Sequence, residues 1–570
     1  MFVEKNPKGG LMKKTTRKGL TIVAAAAVAI SLAAVPSQAA TKKPVAKPKA
    51  TKTVATPTPT PAKPTVLRVT RMGDTSQAFG PTRNSSGNDH FINALIFSNL
   101  VKIAPDEKTI LPDLASTWSI SKDATEFTFN LNKTVKWSDG VAFNADDVIA
   151  TINMRCRWGA AAYEGYQATQ WDLIQGCKDL NGKSEGSATG LTKVDDYTVK
   201  MKLVQSNSQF VRLITDAVYS IVPKHVIDGL ELKEYKVSDF VVAEPIGTGP
   251  YTVTKFKRNQ YIELDANPNY FRGKPSINKI FWLINVKPTN ILPLLQKGEL
   301  DLAIDIDVNL EDQVSKLTNY NTKWNNTVAG QFFQFHVNNP MAADKRVRQA
   351  VWYAIDRRSM LKNLFGGHGE IRWMFSGFDQ DAGSLDKYEY NPTKAKDLIK
   401  ASGIDTTKDF VIMYSPLTDP AWPKIVPVMK EQLEAVGLKV KLEPVDQAAW
   451  VAKQREKDGS YALTLNSGGS LGLGVSRSAQ YFNCKSPLNS WYANCALDQL
   501  YLDYLAETDS AEQKKIEGKI AAIVNDQVPF MTTWEKQTFN AISKKIGGKF
   551  ALYANDRDSS FNIHEWTIAN

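Results

Sequence analysis

The stretch Glu244–Pro275, EPIGTGPYTVTKFKRNQYIELDANPNYFRGKP, leaves the chain little conformational choice. Gly247-Thr248-Gly249-Pro250 predicts a turn in which glycines supply positive φ and proline fixes the chain before a strand. Tyr251, Val253 and Lys255, then Tyr261, Glu263 and Asp265, alternate about the polar bend Lys257–Asn259, which is the pattern of a β-hairpin. Asn267-Pro268-Asn269 ends the second strand, and Gly273-Lys274-Pro275 opens another. A chain of 570 residues has room for two or three cores, so the hairpin punctuates a large fold rather than making up a small one.

Lys13, Lys14, Arg17 and Lys18 precede the apolar run Leu20–Val35, which closes on Ser37-Gln38-Ala39. A basic segment, an apolar stretch and a small-x-small site predict a secretory signal over residues 1–40. The run is shorter than the ~20 residues that span hydrocarbon, so cleavage near Ala40 is expected. No cysteine precedes Cys156, so no lipoprotein anchor is expected. Residues 41–64 contain only Thr, Lys, Pro, Val and Ala and read as a disordered, semi-rigid spacer. Signal and spacer carry twelve Lys/Arg and one acid, leaving 58 basic and 58 acidic residues from 65 onward. The net charge of +11 therefore belongs to the N-terminal segments, and no nucleic-acid footprint is expected on the folded part.

The folded part alternates between the two periodicities. Val66–Thr70 and Phe127–Leu131 read as strands, and Lys193–Leu203 as one further alternating strand. Asn144 caps a helix whose first turn carries Asp146 and Asp147; adjacent helical residues point about 100° apart, so capping outweighs acid–base chemistry for this pair. Ile277–Asn285, Asn290–Lys297 and Leu300–Ile306 form a β-α-β unit, and Gly330–His336 a strand beyond it. Asp344 caps a helix with the apolar stripe Val347, Ala350, Val351, Ala354 and Ile355; Arg346, Arg348, Arg357 and Arg358 are expected to pair on its surface. Asn391-Pro392 to Gly403 and Trp422–Val436 are helices, and Leu438–Leu442 is a strand, which together predict parallel alternation.

Four cysteines in an exported chain predict disulfides. The economical pairing is local, Cys156–Cys177 and Cys484–Cys495, with the other two connectivities open on sequence alone. There is no HExxH, GxSxG or GxxxxGK[ST] segment, and the five histidines are scattered. Catalytic residues, metal sites and cofactors are therefore not expected.

GTGPYTV and IELDANPNYFRGKP closely resemble the central signature of the family 5 extracellular solute-binding proteins, the oligopeptide- and dipeptide-binding class of ABC importers. ILPDLASTWS (110–119), Trp137-Ser138-Asp139-Gly140 before FNADDVIATI, LLQKGELDLA, and FHVNNPMAADKRVRQAVWYAIDRRSML (335–361) resemble further segments in that family's order. The resemblance implies an α/β, two-lobed periplasmic-binding-protein-like fold of the large three-domain subclass, with a ligand cleft between lobes. On that template residues 65–105 open lobe I, 106–240 form an inserted subdomain, and 241–330 complete lobe I. Residues 331–528 then form lobe II, and 529–570 return to lobe I. The implied role is an exported monomer, at the extracellular face or secreted, that closes on a small-molecule ligand without catalysis and delivers it to ABC transporter permease subunits.

Peptide-binding members place a carboxylate after a lobe II strand, where it meets the peptide's amino terminus. The corresponding stretch, Tyr461–Phe482, contains no Asp or Glu. It offers instead Asn466, Ser467, Gly468 and Gly469 with their backbone amides, and Tyr481. Trp491, in a family-like segment between Cys484 and Cys495, joins Phe79 and Trp373 as a candidate pocket aromatic, although each suits a core equally well. Ligand selection is accordingly expected not to rest on a carboxylate within 461–482. A short peptide and an oligosaccharide are the two expected ligands, and a secreted hydrolase with an unrecognised site is the alternative from another class.

Overall fold

The Glu244–Pro275 hairpin forms one edge of an eleven-stranded sheet. In chain order the strands are β1 (Val66–Arg71), β2 (Tyr251–Lys257), β3 (Tyr261–Ala266), β4 (Lys279–Leu283), β5 (Leu302–Ile306), β6 (Tyr320–Phe335), β7 (Gly369–Ile371), β8 (Asp409–Tyr414), β9 (Lys439–Pro444), β10 (Leu463–Gly468) and β11 (Phe530–Ser543). They lie side by side as β9-β8-β10-β6-β11-β5-β1-β4-β3-β2, with β7 on β11. The computed structural model describes residues 63–569 except 72–77, 81–86, 107, 160–169, 375–377, 379–384, 417–418, 420, 455, 457, 469–474, 483, 485–491, 493 and 553–561. The expected signal, and the spacer up to residue 62, lie outside the described residues.

The GTGP turn forms for a reason other than the one expected. Neither Gly247 nor Gly249 has positive φ. A Cβ on Gly247 would lie 1.9 Å from the Ile96 carbonyl oxygen, and one on Gly249 2.5 Å from that of Leu95. Both carbonyls belong to the end of helix α1 (Gly87–Ile96), and Gly249 N–H donates to Ile96 O at 2.8 Å. Glycine is required by close backbone approach, not by handedness. In the hairpin itself Lys257 pairs with Tyr261, and Asn259 takes φ +60° at the bend. Ile262 and Leu264 of β3 bury against β4 in the core beneath.

A separate four-stranded antiparallel sheet holds Ala115–Ile120, Glu126–Leu131, Thr198–Lys202 and Leu191–Asp195, in that spatial order. The expected single strand Lys193–Leu203 is thus two strands. Asp195 Oδ1 accepts from Tyr197 N–H at 2.7 Å, an Asx turn that reverses the chain inside the alternating pattern. Helix α2 (Ala145–Trp158) covers this sheet. Asn144 Oδ1 accepts from Asp146 N–H at 2.8 Å and Asp147 Oδ2 from Asn144 N–H at 3.0 Å, so this acid closes a capping box. Cys156 and Cys177 form a disulfide within the same core, and Cys484 pairs with Cys495.

The predicted strand Gly330–His336 is the second half of a longer one, β6. It runs antiparallel to β11 on both sides of a break, with Asn326 opposite Gln537 and Gly330 opposite Glu535. Residues 327–329 of β6 thus face Lys536 alone, a bulge that bends the pair at mid-length. The helical segment after β6 is also interrupted. Helix α3 (Lys345–Ala354) ends before Ile355, and Asp356 caps α4 (Arg357–Phe365) through Ser359 N–H.

Two of the four arginines expected on that surface are buried instead. Arg348 donates to the carbonyls of Ala342, Ala343 and Gln527, at 2.9, 2.7 and 2.8 Å. Arg357 donates to Lys387 and Tyr388, both at 2.8 Å, with Trp352 against its guanidinium. Their role is to satisfy backbone carbonyls that would otherwise be stranded in the core. Arg346 and Arg358 do pair outward, with Asp344 and Glu389. The stripe Val347, Ala350, Val351, Ala354 and Ile355 is wholly buried.

Candidate functional site

Pairing directions alone locate the site. β5 and β6 both run antiparallel to β11, so they point the same way, and β1 is parallel to β5. β10 runs antiparallel to β6, and β8 is parallel to β10. The parallel strands of the two halves therefore direct their carboxyl ends toward each other across the bend in β6 and β11. In the second half, β8 connects through helix α5 (Trp422–Ala435) to β9 on one side, whereas β10 lies on its other side. That is a topological switch point, and in open α/β sheets ligands bind outside the carboxyl ends of strands at such a point.

Asn466 and Ser467 end β10 at this place, half-buried and opposite Phe332 and Gln331 of β6. Gly468 is the last residue of the strand and faces Gly330. Trp373 and Tyr481 are also half-buried and pack on one cluster with Phe332 and Phe530; Tyr481 stacks on Phe530 at 5.1 Å. Lys387 Nζ lies 4.7 Å from the Trp373 ring centre. Phe79 is elsewhere. It is buried in the first-lobe core, edge-on to Phe256 at 5.2 Å, where it fills space beneath the hairpin rather than lining a cleft. Gly469 and Trp491 lie outside the described residues.

Three further residues meet here that the sequence reading did not single out. Asp419, in the loop leaving β8, is 1% exposed as a side chain; its Oδ2 accepts from Lys536 Nζ at 2.6 Å and from Gln331 Nε2 at 2.7 Å. Its Oδ1 accepts from Ala421 N–H at 2.9 Å. Burial alone would raise this carboxyl, but the Lys536 charge and these hydrogen bonds outweigh burial and hold it below the ordinary carboxylate range. Gln331 is fully buried, and its Oε1 has no hydrogen-bond partner among the described residues. The signal for Asp419 lay in the apolar run Phe410–Tyr414, a buried strand pattern, with an acid five residues beyond its end and a helix start shortly after. Gln331 and Lys536 carry no such local signal.

The assembly can grip a ligand by backbone edges and by charge. It offers the end of β10, neutral groups on Asn466 and Ser467, the amide of Gln331, and a carboxylate and an ammonium neutralising each other. Cys484, Cys495 and Asp498 also lie within 4.8 Å of one another, but the two sulfurs are spent on the disulfide, and Asp498 Oδ1 accepts from Cys484 N–H at 2.8 Å. Among the described residues no helix is long and apolar enough to cross a membrane.

Residues 109–486 match the family described as bacterial extracellular solute-binding proteins, family 5. The oligopeptide-binding protein AppA of Bacillus subtilis is 23% identical over 502 residues, covering 84% of this chain and 87% of that protein. The di/tripeptide-binding protein 2 of Pseudomonas aeruginosa is 26% identical over 429 residues, covering 71% of this chain and 76% of the relative. The fold matches the structure of B. subtilis AppA in complex with a nonapeptide with a TM-score of 0.72 at 20% identity, over 89% of this chain and 100% of the other.

Proposed function

The chain belongs to the family 5 bacterial extracellular solute-binding proteins, and we propose that it captures short peptides for an ABC-type importer. In this reading the two halves close about the bend in β6 and β11, enclose the peptide, and present it to permease subunits in the membrane. The protein acts outside the cytoplasm and returns its ligand unchanged. Its relatives' names, oligopeptide-binding and di/tripeptide-binding, support the ligand class.

The observation that carries the reading is the buried Asp419 carboxylate at the switch point. An ammonium brought into a closing cleft needs a charge partner, because an unpaired buried charge costs several kcal/mol after relaxation. The stretch 461–482 has no acid to offer; Asp419 supplies one from outside it. The peptide's terminal ammonium takes the place of Lys536 on Asp419 Oδ2 and releases Lys536 toward solvent or toward a ligand carboxylate. One observation favours a neutral oligosaccharide instead: the acid-free stretch with Asn466 and Ser467 suits hydroxyls.

Calorimetry of the mature protein with matched free and N-acetylated peptides, and with neutral oligosaccharides, separates the readings. Peptide capture at Asp419 gives saturable heat with free peptides and a loss of about tenfold or more on acetylation, near 1.4 kcal/mol. Equal binding of both peptide forms ends the Asp419 assignment, and binding of oligosaccharides alone ends the peptide reading. Recovery of cleaved peptide after incubation means hydrolysis rather than capture.

A further inference from the structure

The side chain of His368 crosses the bend in β6 and β11. Its backbone belongs to the second half of the sheet. Gly367 N–H donates to Leu361 O at 3.1 Å and His368 N–H to Phe365 O at 3.0 Å, at the end of α4. The next residue, Gly369, starts β7 opposite Lys536. The imidazole, however, lies on the first half. It stacks on the Trp324 indole with ring centres 3.5 Å apart and planes 6° from parallel, and its Nε2 lies 3.4 Å from Glu311 Oε2. Trp324 Nε1 donates to the other oxygen of that carboxylate, Oε1, at 2.9 Å. One acid therefore holds both rings of the stack.

The turn that delivers His368 is built for this approach. Gly366 and Gly367 take φ +63° and +85°, left-handed values that favour glycine at both positions. A Cβ on Gly366 would lie 3.1 Å from His368 Cδ2 and 3.6 Å from Val308 Cγ2, so the turn itself also closes on the first half. Trp324 is backed by Phe539 of β11, 5.1 Å away and its partner across the strands. It stands just before the bulge at 327–329, and Gly369 pairs with Lys536, the residue that faces this bulge. The stack thus bridges the bend close to it on both sides. His368 and Glu311 keep 27% and 34% of their side chains exposed, so neither is needed to fill a core. The charged side chains nearby are engaged elsewhere, Lys536 with Asp419 and Glu370 with Arg372.

We propose that His368, Trp324 and Glu311 form a clasp across the bend that draws the ligand-free protein toward the closed arrangement of its two halves. This rests on the reading in which the halves close about the bend. Ser208 N–H donates to Leu505 O at 2.7 Å, a contact between the inserted subdomain and lobe II on the proposed division. The clasp is therefore made in an arrangement where the halves also touch away from the bend. Rotation that parts Ser208 from Leu505 carries the imidazole, fixed to the second half, off an indole fixed to the first. Opening then forfeits the ring stack and the contact with Glu311. None of the three residues belongs to the Gln331–Asp419–Lys536 cluster. By raising the closed fraction of the free protein, the clasp raises apparent affinity in the same proportion without touching the ligand.

The test reads the free mature protein and needs no ligand. With carbon-13 at the histidine Cε1 positions, the His368 signal is identified among the five histidines by its absence in His368→Gln. Its ring proton should be displaced upfield by the Trp324 ring current, and Trp324→Leu should abolish the displacement. Small-angle X-ray scattering should give a larger radius of gyration for His368→Gln and for Trp324→Leu than for the parent. The double variant should be no larger than either alone, because both remove one contact. His368→Phe, which keeps a ring on Trp324, should restore the parent's radius. An unshifted His368 signal in the parent overturns the clasp. So does a radius unchanged in both variants, or a His368→Phe protein no more compact than His368→Gln. Should Trp324→Leu not fold, the surface variants His368→Gln and His368→Phe decide the matter. Failure of every peptide to bind in calorimetry would strike the capture reading and leave these measurements standing. Peptide binding with an unshifted signal and an unchanged radius would strike the clasp alone.

Discussion

Lys536 Nζ lies 2.6 Å from Asp419 Oδ2, an ion pair that ties the bend of β11 to the loop leaving β8. Asp419 is 1% exposed and Lys536 33%. The depressed Asp419 carboxyl contributes stability above its unfolded pKa, about 3.9, and that contribution is lost as pH falls through the lower folded value. Lys536→Met leaves burial dominant and reverses the sign, so Asp419 then titrates above its unfolded value and destabilises as pH rises through that window. A fully buried pair broken in this way costs 3–5 kcal/mol; solvent at Lys536 reduces the expected cost to about 1–3 kcal/mol at pH 7. Urea midpoints should show this penalty shrinking at pH 4.5. An equal penalty at both pH values would show that Asp419 does not carry it.

Gly247→Ala should be among the most damaging single substitutions in the chain. The new Cβ would sit 1.9 Å from the Ile96 carbonyl oxygen, a backbone atom that cannot swing aside. Separating the hairpin from α1 to relieve this contact also disturbs the 2.8 Å bond from Gly249 N–H to Ile96 O. The expected loss is about 3 kcal/mol or more, or failure to fold. A soluble variant with an unchanged thermal midpoint would contradict the close approach.

Removing the Cys156–Cys177 disulfide by Cys156→Ala with Cys177→Ala should lower stability by about 3 kcal/mol in the loop-entropy account. The bond closes 21 residues and both sulfurs lie in the core of the four-stranded sheet, so cavity formation adds to the loss. Nonreducing peptide mapping should recover 156 linked to 177 and 484 to 495. Four free thiols in exported protein would remove the premise.

What could be read from the sequence was local or repeated. Asn144 with Asp147, Asp344 before its helix, and the cysteines 21 and 11 residues apart are decided within short stretches of chain. Lys193–Leu203 misled because Val199 and Met201 face the core while Val194 is exposed, and an Asx turn at Asp195 separates them inside one alternating run. Arg348 and Arg357 look like polar-face residues on a helical wheel. Their acceptors, Gln527, Lys387 and Tyr388, come from segments the wheel does not contain. The Gln331–Asp419–Lys536 cluster was hidden for the same reason: its members lie on three elements, and only the sheet order brings them together.

A second contact joins distant parts of the chain away from β6 and β11. Ser208 N–H donates to Leu505 O at 2.7 Å, and Gln513 Nε2 donates to Ser208 Oγ at 2.8 Å. The same Gln513 nitrogen reaches the carbonyls of Tyr504 at 3.1 Å and Glu507 at 2.7 Å, in the turn between the helices Ala496–Ala506 and Ser510–Gln527. On the proposed division Ser208 belongs to the inserted subdomain and Gln513 to lobe II, so this contact is expected to form when the lobes close and to break when they open. Gln513→Ala removes the side-chain link together with the bonds in the turn, whereas Ser208→Ala removes only the hydroxyl link; the Ser208 N–H bond to Leu505 remains in both. One net hydrogen bond is worth about 0.5–1.5 kcal/mol, so Ser208→Ala should weaken ligand binding roughly two- to tenfold. The change should appear in the release rate with association nearly unaltered, because encounter with the open form does not involve the contact. Stopped-flow release of a labelled peptide that binds the protein reads this directly. A release rate in Ser208→Ala within twofold of the parent, with Gln513→Ala likewise unchanged, would mean that the Gln513–Ser208 link does not hold the closed state.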